Sequence, residues 1–206
     1  LVILGILVLI IVITLPFVEG GLFAVFKFLF ERYKIISERY PYTSVNAFNF
    51  WGLVEKEFWL SDKRGPSFLT YNKWGTLVTL LLIAAIYIKG FLNAIRKKWF
   101  YSLVLGTSLL FYSSFLFLTR MHERHFFYVI PFLAIAAVIN RRLIIAYLIT
   151  SLTYLLSLHF ALEYYYQAKA YVFSSLQINL ISGANVLVFF WLLVEFLLLT
   201  KNEKKI

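Results

Sequence analysis

Cysteine is absent from the 206 residues, and several other reactive residue types are scarce. The chain has three histidines and one methionine, and its ten acidic residues are outnumbered by twenty basic ones. Without cysteine there is no disulfide bond, no thiolate metal ligand and no cysteine nucleophile. The absence of cysteine does not indicate the cellular compartment. Any chemistry must rest on oxygen and nitrogen side chains.

Charge is also scarce, and apolar residues take its place. Charged residues make up 15% of the chain, hydrophobic residues 62% and aromatic residues 20%, and the mean hydropathy is +0.82. Ordinary soluble domains are about 45–50% apolar. The composition therefore predicts an integral membrane protein of the all-α class, with residues 1–206 forming a single transmembrane domain.

The chain opens directly on an apolar run, residues 1–18, with no basic region before it and no small-residue cleavage site after it. A secretory signal peptide has both features. The run is instead typical of a transmembrane helix cut at its start. We therefore expect this sequence to be the C-terminal part of a longer chain.

Apolar runs near the length of about 20 residues that crosses a bilayer recur along the chain. They predict about six transmembrane helices, the first of them truncated, at residues 1–18, 74–93, 99–118, 126–140, 143–160 and 184–200. The fourth and fifth are short and are separated only by Arg141 and Arg142. We expect these two to form a tight hairpin whose turn lies at the membrane surface.

The basic residues between the spans predict the orientation, because cytoplasmic connections are enriched in lysine and arginine. The basic clusters all fall on one side: Arg96, Lys97, Lys98, Arg141, Arg142, Lys201, Lys204 and Lys205. That side is predicted to be the cytoplasm, so the protein is a multi-pass protein of the plasma membrane with a cytoplasmic C-terminus. The long segment 19–73 then lies outside. This topology accounts in part for the net charge of +10, and no nucleic-acid partner is predicted.

The first part of the long outer segment carries a helical pattern of aromatic residues. Phe23, Phe26, Phe30 and Tyr33 recur at three- and four-residue spacing, which puts them on one face of a helix over residues 21–40. The pattern favours two structures equally. One is an amphipathic helix lying in the membrane interface, and the other is a surface helix packed on the bundle.

Asn46 and Asn49, followed by Trp51, form a second group in the same segment. Spaced three apart, the two amides would share one helical face. Amides both donate to and accept from sugar hydroxyls, and aromatic rings stack on the apolar faces of sugars. We interpret the three residues as candidates for sugar or acceptor binding. The alternative is an aromatic belt with asparagines that cap helix ends.

A corner between two apolar runs holds five ionisable residues within six positions: Arg120, His122, Glu123, Arg124 and His125. A charge buried in a membrane costs roughly 2.5–3.5 kcal/mol, so this density requires a compensating partner. Basic donors at the start of a predicted helix favour an anion such as phosphate, with Glu123 orienting one of the basic groups. The alternative is that they anchor a helix at the membrane surface.

A metal site is a poorer interpretation of the same corner. The zinc-protease motif needs two histidines four apart, with a glutamate directly after the first. His122 and His125 are three apart, and position 126 is Phe126. The ligand spacing therefore does not support a divalent metal, and we predict no cofactor.

The stretches TRMHERHFFYVIPFL and YPYTSVNAFNFWGL carry a resemblance to a known family. They resemble the C-terminal half of integral-membrane glycosyltransferases of the GT-C superfamily, over roughly residues 40–135. Mannosyltransferase branches of that superfamily have similar His-Glu-Arg or His-Glu-Lys corners, opening a helix that soon meets a proline. The resemblance implies a multi-pass enzyme that takes a sugar from a polyprenyl-phosphate donor in the membrane. It also implies that Arg120, His122 and Arg124 hold the donor phosphate.

The general base that such a transfer requires is not supplied at the place the resemblance implies. In the superfamily it is typically an acidic residue of the first outer loop, which would precede Leu1. We therefore expect the catalytic base to lie outside this sequence. Glu55, Glu57 and Asp62 are on the predicted outer side, but they stand among basic residues, a pattern typical of a mixed-charge surface.

Two functions from different classes follow from these patterns. The first is a glycosyltransferase, or its C-terminal part, that moves a sugar from a polyprenyl-phosphate donor to an acceptor on the outer face, with membrane lipid around it. The alternative is a non-enzymatic carrier or assembly subunit that binds an anionic lipid headgroup. A carrier is expected to place ionisable or broken-helix positions at mid-membrane. The charges here gather at one face, which favours the enzyme.

Overall fold

The computed structural model describes residues 2–55, 58–95, 99–167 and 173–199. Eight α-helices lie in these ranges: α1 Val2–Thr14, α2 Gly21–Arg39, α3 Phe50–Glu55, α4 Tyr71–Ile95, α5 Trp99–Phe117, α6 Val129–Ile139, α7 Ile144–Gln167 and α8 Ser175–Leu197. Short 3₁₀ turns at Leu15–Phe17, Glu123–Tyr128 and Arg141–Leu143 connect some of them. The described residues contain no β-strand, only two isolated bridges. The all-α prediction is confirmed.

Four helical stretches are long and apolar enough to cross a membrane. They are Tyr71–Asn93, Phe100–Phe117, Arg141–Tyr164 and Ser175–Leu197, and the bent pair Leu4–Phe17 and Gly21–Ile36 makes a fifth if it counts as one span. Three of these agree with the spans predicted at 74–93, 99–118 and 143–160. The chain is thus a multi-pass helical membrane protein.

Two of the predicted spans differ from the observed helices. The stretch 126–140 is part of a six-residue 3₁₀ turn followed by the 11-residue helix α6, which is shorter than the bilayer requires. The last helix begins at Ser175, not at residue 184, because Ser174 and Gln177 form a reciprocal capping box at its start. Residues 161–167 and 175–183, which lie between the spans predicted at 143–160 and 184–200, are therefore helical.

The chain divides into two compact units, Leu1–Pro41 and Tyr42–Ile206. The first contains α1 and α2. In the second, α5 is central: it packs against α4, α6 and α8, and 61% of its span is buried, against 17–39% for the other three spans. The core is strongly aromatic, with Phe115 stacked on Phe126 at 4.2 Å between ring centres.

Four helix ends meet at one end of the second unit, which we call the loop end. A Cβ built on Gly75, near the start of α4, would lie 2.1 Å from the carbonyl oxygen of Phe117, where α5 ends. Phe160 near the end of α7 and Ile178 near the start of α8 both pack around Phe48. The segment that joins these four ends is residues 42–62.

Candidate functional site

Residues 42–62, which we call the cap segment, are hydrogen-bonded to the corner formed by residues 119–125. The amide of Val45 donates to the carbonyl of Met121 at 3.0 Å, and the amide of Arg120 donates to the carbonyl of Tyr42 at 2.8 Å. Val45 and His122 form a parallel bridge. The structure thus brings together the two stretches that the sequence analysis singled out separately.

A fully buried carboxylate, Asp62, fastens the corner to the cap segment. It accepts hydrogen bonds from Arg120 Nε at 2.6 Å, Thr119 Oγ1 at 3.0 Å and Asn72 Nδ2 at 3.2 Å. Asn72 belongs to the first turn of α4, so three segments meet at one carboxylate. The expectation that Asp62 belongs to a mixed-charge surface is wrong, because its exposed fraction is 0%.

Arg120 has a structural partner in Asp62. Burying a carboxylate is unfavourable unless a cation and hydrogen bonds compensate it, and Arg120 with its neighbours supplies both. Arg120 was predicted from the resemblance to bind the donor phosphate, and that role stays a prediction. In the structure its guanidinium is held toward the cap segment.

Backbone strain is concentrated in the same two segments. Among the described non-glycine residues, positive φ angles occur at Asn46 (57°), Trp59 (68°) and Arg120 (66°). This left-handed conformation is unfavourable for residues with a Cβ and persists where surrounding contacts impose it. Here the contacts are the Asp62 ion pair and the hydrogen bond from Trp59 Nε1 to Asn46 Oδ1.

The two histidines of the corner are neutral at neutral pH. Burial, reinforced by the positive charge of Arg124, lowers the pKa of His122 to about 4 and lowers the pKa of His125. His125 Nδ1 accepts a hydrogen bond from the amide of His122 at 3.1 Å, so the proton of a neutral His125 is on Nε2. The imidazoles can therefore act as polar hydrogen-bonding groups without adding charge.

Glu123 and Arg124 differ sharply in their environments although they are adjacent. The Glu123 side chain is buried, with an exposed fraction of 8%, and burial raises the pKa of its carboxyl. Its Oε2 atom has no hydrogen-bond partner among the described residues. Arg124 is exposed. A carboxyl able to take up a proton thus stands next to an accessible cation.

The predicted sugar-binding residues Asn46, Asn49 and Trp51 are all buried, with exposed fractions of 0%, 0% and 6%. Asn49 Oδ1 accepts from the amide of Gly52 and so caps α3, while Trp51 Nε1 donates to the carbonyl of Phe117 at 2.7 Å. Asn46 lies outside a helix, so the two amides do not share a helical face. Their roles in binding stay predictions; their observed contacts hold the cap segment together.

A buried polar chain below the cap segment was missed by the sequence analysis. Thr153 Oγ1 donates to Asn185 Oδ1 at 2.6 Å, and Asn185 Nδ2 donates to the carbonyl of Phe48 at 2.9 Å. Hydrogen bonds of this kind join helices inside membranes. The signal was the asparagine within the apolar run of α8, since a buried amide in such a run requires a partner.

The fold and site together define a polytopic helical membrane protein with a polar, strained site at one end of its bundle. Comparison with known proteins found no matching family model, no matching curated protein and no matching solved structure. The described residues contain no group of three or more histidine, aspartate or glutamate side chains placed to hold a metal ion.

Proposed function

We propose that this chain is a membrane glycosyltransferase, or the C-terminal part of one, that uses a polyprenyl-phosphate sugar as donor. The observation that carries the proposal is that two adjacent residues have opposite environments. Glu123 has a buried carboxyl with one oxygen that lacks a hydrogen-bond partner among the described residues, and Arg124 has an exposed guanidinium. Transfer of a sugar from a phosphate needs a group that takes the acceptor's proton and a group that stabilises the departing phosphate. These two neighbours have the matching chemistry.

The roles follow from the environments of the residues. Arg124 binds the donor phosphate, and the neutral imidazoles of His122 and His125 add directed hydrogen bonds. The Glu123 carboxylate accepts the proton of the acceptor hydroxyl while the acceptor oxygen bonds to the sugar's anomeric carbon. The bond from that carbon to the phosphate oxygen breaks, and its electron pair stays on the phosphate. Arg120 acts through Asp62 by holding the corner in place.

Glu123 is favoured as the base over the other acidic residues of the loop end. Asp62 is already engaged by Arg120, Thr119 and Asn72, and Glu55 accepts a hydrogen bond from the hydroxyl of Tyr71. Glu57 lies outside the described residues. The proposal thus assigns the base to Glu123, whereas the resemblance implied a base before Leu1.

We also propose that the loop end faces the outside of the cell and that the C-terminus is cytoplasmic. Arg141 and Arg142 are exposed at the turn between α6 and α7. Lys89 Nζ donates to the carbonyl of Leu199 at 3.3 Å, which puts the end of α8 beside the second half of α4. In this topology the remaining two of six spans are the stretch beginning with α1 and the predicted stretch 126–140, which contains α6. Segment 19–73 is then outside, with α2 at the membrane surface.

The test is sugar transfer from a polyprenyl-phosphate donor by purified full-length protein. We expect Glu123→Gln to lower turnover by about 10²–10⁴-fold, the usual contribution of a general base, while donor binding is retained. Arg124→Gln should weaken donor binding. The matched control is Arg142→Gln, which removes an exposed arginine at the opposite end and should leave both quantities unchanged.

An ionised nucleophile distinguishes the role of the general base from the roles of the other site residues. Azide needs no proton removed, so it should accept the sugar from Glu123→Gln at the wild-type rate but not from Arg124→Gln. Donor binding by the wild type without transfer to any acceptor would instead support the non-enzymatic lipid-binding alternative. Wild-type transfer by both Glu123→Gln and Arg124→Gln would contradict the assigned roles.

A further inference from the structure

The first unit, Leu1–Pro41, contains a sharp corner between two helices of different character. The helical stretches Leu4–Phe17 and Gly21–Ile36 are bent by 93°. Gly20 and Gly21 stand at the corner with φ angles of 117° and 77°, a conformation that glycine adopts without a steric penalty. Two adjacent glycines of this kind fix where the chain turns.

The helix before the corner, α1, has the side chains of a membrane-inserted segment. Its described exposed residues are aliphatic around most of its circumference: Leu4, Ile6, Leu7, Val8, Leu9, Ile10, Val12 and Ile13. Between Val2 and Thr14 it contains no charged residue. A helix that is apolar all round is suited to hydrocarbon and not to water.

The helix after the corner, α2, has two different faces. Phe23, Phe26, Phe30 and Tyr33 form its aromatic row, and their exposed fractions are 83%, 50%, 68% and 71%. The buried contact of this helix is made elsewhere, by Val25 at 0% exposure. An exposed row of large aromatic side chains requires an apolar partner outside this unit.

The charges of α2 indicate the headgroup chemistry of that partner. Lys27, Arg32, Lys34 and Arg39 outnumber Glu31 and Glu38, so Gly21–Arg39 carries a net charge of +2. The two lysines are seven residues apart and so are the two arginines, which gives each pair its own side of the helix. The ion pair between Lys27 and Glu31 is exposed and 4.0 Å long, so it neutralises little.

From these observations we infer that α2 is a surface helix that binds an anionic lipid bilayer, with its aromatic row in the acyl region and its basic residues at the headgroups. If α1 enters the membrane along its normal, a bend of 93° lays α2 in the membrane plane. Interfacial helices combine an apolar aromatic face with lysine and arginine in this way. The inference is independent of sugar transfer, and it identifies a lipid partner for a face that the proposed site does not use.

Cysteine is absent from the 206 residues, which allows a direct test by site-specific labelling. Single cysteines are placed one at a time at positions 22–38, spin-labelled, and the protein is reconstituted in phosphatidylcholine vesicles with added phosphatidylglycerol. Collision rates with oxygen and with a water-soluble nickel complex then report depth. We expect depth to oscillate with helical period, so that Phe30→Cys is in lipid and Glu31→Cys is in water, with no trend along the helix.

Two results would overturn the surface placement. A steady change of depth from residue 22 to residue 38 would make α2 part of a broken span or a re-entrant loop. Water contact at every position, including Phe23→Cys and Phe30→Cys, would mean that the aromatic row does not meet the bilayer.

The lipid charge is tested separately by repeating the measurement in phosphatidylcholine alone. We expect the Phe30→Cys label to lie deeper when phosphatidylglycerol is present, and the difference to vanish at high salt because salt screens the attraction. Arg32→Gln with Arg39→Gln should shrink the difference, whereas Glu31→Gln should not. Equal depths in the two lipid mixtures would overturn the preference for anionic lipid. The helix α2 would then bind bilayers regardless of their charge.

Discussion

Asp62 and Arg120 show at the scale of single residues how the loop end is held together. The carboxylate is fully buried and the arginine side chain is 26% exposed, so the pair is stable only as a pair. Removing one partner of a buried ion pair leaves an uncompensated charge and costs roughly 3–5 kcal/mol. The partial exposure of Arg120 places the expected effect toward the lower end of that range.

The first prediction is therefore that Asp62→Asn lowers the free energy of unfolding by about 3 kcal/mol. It should appear as a lower midpoint of thermal unfolding in detergent. Lys63→Gln is the matched control, since Lys63 is adjacent in sequence and exposed, and its midpoint should stay within error of the wild type. An unchanged midpoint for Asp62→Asn would show that the pair adds nothing to stability.

His122 makes stability depend on pH. Its pKa is lowered to about 4 by burial, whereas it is about 6.5 when unfolded. Folding therefore favours the neutral imidazole. The resulting contribution is complete above pH 6.5 and is lost as the pH falls toward 4, by at most about 3 kcal/mol.

We predict that the midpoint of unfolding of the wild type falls between pH 7 and pH 4 and that His122→Gln weakens this fall. Glutamine retains hydrogen-bonding groups but does not titrate, so the two curves should converge at acid pH. The raised pKa of Glu123 has the opposite effect on the unfolding midpoint. Acid protonates its buried carboxyl, and the neutral form is the one that folding favours. Parallel curves for the wild type and His122→Gln would assign the acid sensitivity to other groups.

The residues of the corner were visible in the sequence, but their environments were not. Five ionisable side chains between apolar runs already required compensation, and that predicted a polar site. Asp62 could not be assigned as the compensating group, because it is 58 residues away from Arg120 along the chain. Local composition around Asp62 indicated a charged surface, and only the path of the cap segment buries it.

At the scale of helices, sequence patterns predicted the long apolar elements and missed those defined by capping. The start of α8 is marked by Ser174 and Gln177, a readable capping box, but an apolar run could not include polar residues such as Asn179 and Ser182. The length of α6 was overestimated because the apolar run extends beyond the helix. Its neighbours in the 3₁₀ turn are apolar enough to extend the run, although their backbone is not α-helical.

Close packing of α4 against the end of α5 gives a prediction at this scale. A Cβ on Gly75 would lie 2.1 Å from the carbonyl oxygen of Phe117 and 3.3 Å from the ring of Trp51. Gly75→Ala should therefore separate the two helices. We expect it to destabilise the protein by about 1–3 kcal/mol, the usual cost of overpacking. The measurement is again thermal unfolding in detergent.

Gly90 supplies the control on the same helix. A Cβ there has no atom within 4 Å, so Gly90→Ala adds no clash and gains helix propensity of about 1 kcal/mol. We expect the two substitutions to shift the unfolding midpoint in opposite directions. A Gly75→Ala protein as stable as the wild type would mean that α4 and α5 approach less closely than the structure indicates.

At the scale of the whole chain, the second unit has two chemically different ends. The loop end holds the Asp62 ion pair, the neutral histidines and the buried Glu123. The other end presents exposed Arg141 and Arg142, and a cavity of about 380 Å³ lined mostly by apolar side chains lies between the second half of α4, α5 and α8. The donor that we propose has a charged headgroup, and the loop end offers it the exposed Arg124 beside the buried Glu123.

The orientation of these ends decides from which side a substrate arrives, and the cysteine-free sequence allows it to be measured. Lys63 at the loop end and Arg141 at the opposite end are both exposed. The basic clusters between the predicted spans lie at the end opposite Lys63, and such clusters are retained on the cytoplasmic side. We therefore predict that Lys63→Cys reacts with a membrane-impermeant maleimide on intact cells. Arg141→Cys should react only after permeabilisation, as should a cysteine in a tag placed after Ile206. The reverse pattern would place the corner in the cytoplasm, where an acceptor would have to arrive from inside the cell.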